Sequence, residues 1–360
     1  MKKILIIFPD EWVAYSPTIL NFIECFKKCG ETSVIAFDTE KFSNKDKLKE
    51  IEYIDLSGRM SSILNKLHLK KIVKIFLVAG CIIKLKLKHK YDLAVGVDSI
   101  GYFTAKLFFN NPVFLSLEIC NDLFFKVSKV FGIKNIVIQT EERKKFLFGD
   151  NENIKTFYFQ NSPIIDESVK IRDFLGKRRN IIYLGNFIPS RGTEFCVQAL
   201  YKLTDDYTLT FKGTIENNYK NELIDKYKDL IESRRLMFDE EYLNQSELIQ
   251  FLSEYYVGLC VYDLSVIKKS DFNYLSCPSG KLFNYYAAGI PVIGSDIIGL
   301  NSVIHYKTGI LLKKLLPNDI AEAIKKIELN YKMYFENCIY ASRVFDFKKS
   351  FEKFAAELLL

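Results

Sequence analysis

Two segments in the second half of the chain each combine a turn glycine with a cation, which suits the binding of a phosphate group. In the first, Gly185 lets the backbone approach a ligand closely, and Arg191 falls at the predicted start of a helix. Amide groups at a helix start favour an anion, and a guanidinium grips phosphate oxygens in pairs. The alternative is an ordinary strand–helix turn with a solvated arginine.

The second segment carries a lysine at another predicted helix start. Pro278 and Ser279 are typical of such starts, and Gly280 again permits close approach of a ligand. Lys281 falls in the first turn, where a cation is unfavourable because it lies at the positive end of the helix dipole. A bound anion would offset that cost. Asn284 follows one turn later on the same face, so both side chains can reach one ligand. The alternative is a helix whose lysine extends into solvent.

The composition is that of a folded, two-domain protein. The chain has 360 residues, of which 49% are apolar, and its 51 Lys+Arg against 44 Asp+Glu give a net charge of +7. So high an apolar content with so small a net charge excludes a disordered chain. We expect no membrane span and no signal peptide, because the apolar runs are too short. Eight cysteines without a Cys-x-x-Cys pair, and only three histidines, predict reduced thiols in a cytoplasmic protein without a metal site.

Alternating strands and helices must position these residues. Predicted strands occupy residues 3–8, 32–37, 92–97, 112–117 and 135–139 in the first half, and 180–184, 207–212, 256–262 and 291–295 in the second. Predicted helices occupy residues 17–29, 99–109 and 140–148, then 191–203, 217–231, 245–254 and 281–288. Two runs of this alternation predict an α/β protein with two doubly wound parallel sheets, joined near residues 161–177.

In open parallel sheets, ligands collect beyond the carboxyl ends of the strands. In the first half, Asp10, Glu11 and Trp12 follow the first predicted strand. Asp98 follows the third, and Glu118 follows the fourth. These side chains are therefore candidates for ligand contact. The alternative is a solvated loop for the acids and a place in a domain core for the tryptophan.

The chain resembles a known family of enzymes. Residues 273–299 are similar to the donor-binding helix of GT-B glycosyltransferases of the family-four type, and residues 185–192 resemble the phosphate loop of that family. Further similar stretches are residues 91–98, 114–118, 137–143, 161–163, 306–311 and 347–360. The resemblance implies two Rossmann-like domains facing a cleft. Residues 1–165, with a returning C-terminal helix at 346–360, would bind the acceptor, and residues 166–345 would bind the nucleotide sugar.

The resemblance also implies which residues act. Arg191 and Lys281 would stabilise the leaving phosphate, and Glu118 would assist catalysis. Donor contacts would come from Gly185, Asn186, Arg191, Asn273, Ser276, Ser279, Gly280, Lys281, Leu282 and Asn284. Acceptor contacts would come from Asp10, Glu11, Trp12 and Asp98.

Three positions depart from the family pattern. Asn186 stands where the family has the arginine of its phosphate loop, and Ser276 and Asn284 stand where it has two glutamates. Arg191 replaces a lysine and keeps the charge. The carbonyl of Asn284 still accepts a hydrogen bond from a ribose hydroxyl, but without charge, so we expect weaker or remodelled ribose binding.

The implied activity is transfer of a hexose or related sugar from a nucleotide sugar, with retention of configuration. The nucleotide sugar is a co-substrate, and no metal or other cofactor is expected. The acceptor would be a glycan or a lipid-linked hydroxyl in bacterial polysaccharide biosynthesis, such as O-antigen, lipopolysaccharide or capsule assembly. Two alternatives stay open: a nucleotide-sugar 2-epimerase of the same fold, and a non-catalytic subunit that binds sugar nucleotides as a scaffold for a transferase.

A basic segment in the first half suggests a second interaction. Residues 59–90 contain nine Lys/Arg and no Asp or Glu, with an apolar run at 75–83. Lys84, Lys86 and Lys88 alternate with apolar residues, a pattern that attracts anionic lipid headgroups. We therefore expect a cytoplasmic protein with peripheral attachment to the inner face of the cell membrane. The alternative is a solvated helix face; nucleic acid is not expected, since no binding module is recognisable.

Overall fold

The protein forms two compact units. The computed structural model describes residues 1–13, 16–37, 48, 50–57, 70–172, 179–268 and 270–359. One unit comprises Met1–Ser162 together with Phe347–Leu360, and the other comprises Pro163–Asp346. The part of the predicted basic segment at residues 59–69 lies outside the described residues.

The first unit is built on a parallel sheet of seven strands. They are β1 (Lys2–Phe8), β2 (Gly30–Ala36), β3 (Glu52–Asp55), β4 (Leu93–Val97), β5 (Val113–Leu115), β6 (Asn135–Ile138) and β7 (Lys155–Tyr158). Their spatial order is β3-β2-β1-β4-β5-β6-β7. Central β4 is buried along its whole length, because helices cover both faces of a parallel sheet.

Helices of the first unit divide between the two faces of this sheet. They are α1 (Pro17–Lys27), α2 (Lys70–Lys88), α3 (Asp98–Phe108), α4 (Leu123–Val130) and α5 (Glu141–Phe148). Because crossovers are right-handed, α1, which leads towards the β3 edge, lies on one face, and α2 to α5, which lead the other way, lie on the opposite face. The rings of Phe114, Phe125 and Phe148 pack together between β5, α4 and α5.

The second unit repeats the design with six parallel strands. They are β8 (Asn180–Leu184), β9 (Thr208–Lys212), β10 (Leu236–Asp239), β11 (Val257–Cys260), β12 (Val292–Ser295) and β13 (Gly309–Leu312), in the order β10-β9-β8-β11-β12-β13. The helices are α6 (Thr193–Ala199), α7 (Asn217–Lys226), α8 (Lys228–Glu232), α9 (Gln245–Leu252), α10 (Phe272–Ser276), α11 (Gly280–Ala287), α12 (Asn301–His305), α13 (Pro317–Leu329) and α14 (Tyr331–Val344). The predicted pair of doubly wound parallel sheets is confirmed.

The C-terminal helix α15 (Phe347–Leu358) belongs to the first unit. It packs on α1 through phenylalanine rings, with Phe22 and Phe347 centroids 5.0 Å apart and Phe26 and Phe351 centroids 5.1 Å apart. Burial of such rings dominates the energy of a contact of this kind. None of the described helices has the length and apolarity that crossing a membrane requires.

Some predicted boundaries are wrong. Arg191 does not begin a helix: it ends a 3-10 turn, and Gly192, in a left-handed conformation at φ 69°, separates it from α6. The predicted single helix at 217–231 is two helices, because Tyr227 leaves helical geometry between α7 and α8. The strands that were not predicted are β3, β7, β10 and β13, which form the edges of the two sheets.

Candidate functional site

Lys281 and Arg191, which the sequence places in separate segments, meet at one tyrosine. Lys281 lies in the first turn of α11, with only 8% of its surface exposed. Its Nζ donates to the Tyr183 hydroxyl at 3.3 Å and lies 4.3 Å from the centre of the same ring. Arg191 also hydrogen bonds to Tyr183, which is fully buried at the end of β8. The ammonium and the guanidinium therefore lie close together, both in contact with Tyr183.

The two cations are not balanced by an acid. No carboxylate of the described residues lies within ion-pair distance of Lys281 or Arg191. The Nε of Arg191 is buried without a hydrogen-bond partner. The pKa of Lys281 is lowered to about 8, mainly by burial and in part by the charge of neighbouring Arg191. Buried charge without a partner is costly, so this surrounding favours the binding of an anion.

The loop after β8 passes beside the ammonium. Gly185 has φ 116°, a conformation that L side chains rarely adopt. A Cβ at Gly185 would lie 3.7 Å from both Cε and Nζ of Lys281, so the backbone of this loop runs next to the amine. The glycine thus permits the turn and also lets the backbone lie close enough to Lys281 for both to contact a bound phosphate.

Tyrosine rings complete the wall around the cations. Nζ of Lys281 lies 5.6 Å from the ring centre of Tyr262, and Tyr262 packs edge-on against Tyr274 at 5.5 Å. Burial raises the pKa of Tyr183, Tyr262 and Tyr274, so their hydroxyls stay protonated and can donate to an anion. These tyrosines were not predicted as site residues. The signal for Tyr183 and Tyr262 was their position at the carboxyl ends of strands.

Other predicted donor residues lie around α11 in different settings. Ser279 precedes the helix, but its side chain makes no capping bond and contacts Tyr262 and Cys260 instead. Gly280 is the first helical residue, and Leu282 is fully buried in the core of the unit. The amides at the start of α11 are therefore not capped by the preceding side chain.

The three residues that depart from the family pattern have partners of their own. The side chain of exposed Asn186 accepts a hydrogen bond from Thr214 at 2.8 Å. Ser276 is fully buried and donates to the Phe272 carbonyl at 2.6 Å, while neighbouring Asn273 is half-buried.

The amide oxygen of Asn284 accepts from Nε2 of Gln245 at 3.0 Å. Gln245 begins α9 and was not predicted as a site residue. Because this bond occupies one lone pair of the Asn284 oxygen, a ribose hydroxyl would meet a pair of amides rather than a carboxylate.

In the first unit, carboxylates gather where β1, β4 and β5 end. Asp98 has φ 52° and is buried, and its Oδ1 accepts from the amides of Leu117 at 2.8 Å and Glu118 at 3.0 Å. Burial raises the pKa of Asp98 to about 7, and the charges of Glu118 and Asp10 raise it too, while the amide bonds oppose the shift. Glu118 is exposed beside it.

The loop after β1 is held by lysines of α2. Nζ of buried Lys74 donates to the Pro9 carbonyl at 2.8 Å and to Oδ1 of Asp10 at 3.2 Å. Lys70 pairs with Glu11 at 3.2 Å. The ring of Trp12 packs edge-on against Phe8 with centroids 4.9 Å apart. Asp10 and Glu11 are thus tied to a helix rather than left in a solvated loop.

Comparison with solved structures identifies the fold class. Anabaena HepE in complex with UDP-glucose superposes with a TM-score of 0.67, at 14% identity over 99% of each chain. WaaG, a glycosyltransferase involved in lipopolysaccharide biosynthesis, gives 0.64 at 13% identity, also over 99% of each chain. A proposed UDP-N-acetylglucosamine 2-epimerase from Listeria monocytogenes gives 0.62 at 15% identity, over 99% of this chain and 96% of that one.

These likenesses show that the chain has the GT-B fold, which glycosyltransferases of known structure share with it. No protein-family model matches the chain, and no curated protein does. At such low identity the comparison shows the fold alone, because one fold hosts many different activities.

Proposed function

We propose that the protein is a glycosyltransferase that transfers a sugar from a nucleotide sugar to a hydroxyl of a glycan or lipid-linked acceptor. The observation that carries this proposal is that buried Lys281 and half-buried Arg191 meet at Tyr183 with no carboxylate of the described residues to balance them. A diphosphate is the anion that best fits two adjacent cations, one of which, Lys281, lies in the first turn of a helix. The complexes of HepE, a protein of the same fold, with UDP and UDP-glucose support this choice.

The mechanism follows from the charge that develops. Breaking the bond between the sugar and the diphosphate leaves negative charge on the departing phosphate and positive character on the anomeric carbon. Arg191, Lys281 and the amides at the start of α11 would stabilise the phosphate, as preorganised donors do in other enzymes. The departing phosphate takes the proton of the acceptor hydroxyl, whose oxygen bonds to the anomeric carbon on the same face, so configuration is retained and no metal is required.

The carboxylates of the first unit would serve the acceptor. Exposed Glu118 and the neighbouring Asp98 and Asp10 offer several oxygens to the hydroxyl groups of a sugar. Carboxylates accept hydrogen bonds from hydroxyls strongly, particularly where they are partly buried. We assign this cluster, with Glu11 and Trp12, to acceptor binding, and we place the reaction in bacterial polysaccharide or lipopolysaccharide assembly.

A nucleotide-sugar 2-epimerase is the second candidate, because the Listeria protein proposed to have that activity shares the fold. An epimerase must remove and return a proton at the sugar, which needs an acid/base pair on the donor side. In the second unit Lys281, with a pKa of about 8, could act as one such group, but its neighbours are tyrosines and thiols of raised pKa and an arginine, which are poor partners for it at neutral pH. This surrounding favours the transferase.

Nucleotide binding followed by product analysis tests the proposal. UDP, GDP, ADP and CMP would each be titrated while the melting temperature is recorded, because a ligand that binds only the native state raises it. We expect stabilisation by at least one nucleoside diphosphate in the wild type and none in Arg191→Ala with Lys281→Ala. Slow hydrolysis of the matching nucleotide sugar would then support the transferase, whereas interconversion of sugar nucleotides without acceptor would support the epimerase. Absence of any stabilisation would contradict both.

A further inference from the structure

Helix α2 is apolar on the side that faces solvent as well as on the side that faces the core. Its inner face buries Ile75, Val78 and Ile82. On the outer face, Phe76 is 74% exposed and Leu87 is 83% exposed. Ile72 and Ile83, both also exposed, complete the row, in which successive residues are four, seven and four positions apart. That spacing aligns them along one side of a helix, so α2 presents a continuous apolar stripe.

Positive charge accompanies this stripe. The helix contains six lysines and no acidic residue. Lys84 and Lys88 are exposed next to Ile83 and Leu87, and neither forms an ion pair with any residue that the structure describes. Lys86 reaches the Phe108 carbonyl at 2.7 Å. The C-terminal half of α2 therefore combines exposed apolar groups with unpaired cations.

The neighbouring helices extend the surface. Crossover handedness puts α3 and α4 on the same face of the sheet as α2, and Lys71 of α2 pairs with Asp122 at the start of α4 at 2.8 Å. Leu123 and Val130 of α4 are 69% and 85% exposed. Exposed Lys126 lies on the same helix. We call the outer sides of α2 and α4 the apolar-basic face.

We propose that the apolar-basic face docks on the surface of an anionic lipid bilayer. Apolar side chains that flank lysines insert at the boundary of headgroups and acyl chains while the lysines meet the phosphates. A second copy of the chain fits less well, because two such faces would bring lysines against lysines without an acid on α2 to pair them. The proposal does not depend on the catalytic assignment of the second unit.

The docking helix is also bonded to the candidate acceptor loop. Lys74 and Lys70, on the first two turns of α2, hold Asp10 and Glu11. A bilayer that seats α2 would therefore lie close to the loop at which, under the proposed function, an acceptor binds. This places a lipid-linked acceptor, anchored in the same bilayer, within reach of that loop.

Vesicle co-sedimentation tests the docking. The full chain would be spun with phosphatidylcholine vesicles that contain no phosphatidylglycerol or about 30% of it. We expect strong binding to the anionic vesicles only, and a partition coefficient at least ~10-fold lower for Phe76→Ser with Leu87→Ser. Lys84→Gln with Lys88→Gln should lower it severalfold and weaken its dependence on salt.

Matched controls come from the second unit. Leu329→Ser removes another side chain that is 81% exposed, and Lys325→Gln with Lys326→Gln removes two exposed lysines of α13. These variants should bind vesicles as the wild type does, and all variants should keep the wild-type melting temperature. Equal binding of the Phe76/Leu87 variant and the wild type would overturn the proposal. So would concentration-dependent self-association that this variant abolishes, which would assign the face to a second copy.

Trp12 provides an internal reporter of the link to the acceptor loop, because it is the only tryptophan. Saturating anionic vesicles should shift its emission in the wild type. Lys70→Gln should reduce that shift while leaving co-sedimentation unchanged. An unchanged emission spectrum on vesicle binding would overturn the link.

Discussion

The two units use the same arrangement of parallel strands to present opposite charges. At the carboxyl ends of the first sheet, Asp98 lies close enough to Asp10 and Glu118 for their charges to raise its pKa. At the carboxyl ends of the second sheet, Arg191 and Lys281 meet among tyrosines. The backbone design is shared, so the difference lies in the few side chains that follow each strand.

The units also differ in how they accommodate a buried charge. Asp98 receives two backbone amide hydrogen bonds, which supply the partners that its carboxylate needs. Among the described residues, Lys281 hydrogen bonds to a hydroxyl and packs against aromatic rings, and the Nε of Arg191 has no hydrogen-bond partner. Because no carboxylate of the described residues pairs with the cations of the second site, we infer that a bound ligand supplies the negative charge.

The largest effect should come from removing the ammonium. Lys281→Met should lower turnover at least ~100-fold, since it deletes a stabiliser of the leaving phosphate. It should leave the melting temperature unchanged or higher, because a buried charge without a partner disappears. Turnover with the cognate nucleotide sugar and a thermal melt measure the two effects.

Lys212 provides the matched control. It is equally buried in the same unit, but its Nζ donates to Oδ1 of Asp239 at 2.6 Å. Lys212→Met should lower the melting temperature by roughly 5 °C, because Asp239 loses its partner. If Lys281→Met destabilised the protein as Lys212→Met does while turnover stayed normal, Lys281 would be a structural lysine.

The fold was largely predictable from the sequence, and most of the missed strands share one cause, the exception being the apolar edge strand β13. The central strands, such as β1 and β8, are apolar runs buried on both faces, and such runs are recognisable. The strands that were missed are the sheet edges: β3 and β7 carry charged residues and are only half covered. An edge strand pairs on one side alone, so its sequence need not be apolar.

The candidate site was predictable in its charges but not in its surroundings. Local turn chemistry correctly placed Lys281 in the first turn of a helix, whereas Arg191 ends a 3-10 turn instead of beginning a helix. Tyr183, Tyr274 and Gln245 were missed, because their side chains reach these residues from other segments of the chain. Contacts of that kind depend on how strands and helices pack, which no local pattern specifies.

In the first unit, two substitutions of Asp98 should distinguish the role of its hydrogen bonds from the role of its charge. Asp98→Asn retains an oxygen that accepts from the Leu117 and Glu118 amides and tolerates the left-handed backbone at φ 52°. Asp98→Ala loses both bonds and should lower the free energy of unfolding by about 2 kcal/mol. Urea denaturation at pH 7.5 measures this difference, and equal loss in both variants would contradict the role of the amide bonds.

The same pair carries a pH dependence of defined sign. The pKa of Asp98 is raised by burial to about 7 from an ordinary 3.8. Between those values the folded state holds a proton that the unfolded state has lost, so the contribution of Asp98 to stability falls as the pH rises from about 4 to about 7. The wild type should therefore lose stability relative to Asp98→Asn over this range, and parallel curves would disprove the shift.

In the second unit, anion affinity should fall at alkaline pH. The pKa of Lys281 is lowered by burial to about 8, and a bound diphosphate favours its charged form. Affinity is therefore complete below pH 8, and above it the Kd should rise by up to ~10-fold per pH unit until the pKa of the complex is reached. Calorimetric titration of the nucleoside diphosphate between about pH 7 and 9.5 tests this sign.

Two variants test whether Lys281 is the group whose titration changes the affinity. Arg191→Ala should bind more weakly but keep the dependence on pH, because Lys281 still titrates. Lys281→Met should bind weakly at every pH above 7, with a flat profile. A pH dependence that persists in Lys281→Met would assign the titration to another group and weaken the contrast between the two units.

The smallest effect concerns Asn284, where the second unit could be made more like the first by adding a carboxylate. Asn284→Glu supplies a charged acceptor for a ribose hydroxyl, and charged acceptors form stronger hydrogen bonds by ~1 kcal/mol, so we expect binding of the nucleoside diphosphate to strengthen about fivefold. Gln245→Ala is the companion variant, because it frees the Asn284 oxygen without adding charge. The quantity to compare is the ratio of the Kd of the nucleoside diphosphate to the Kd of inorganic pyrophosphate, which has no ribose. If neither variant changes this ratio, the ribose is bound by other residues.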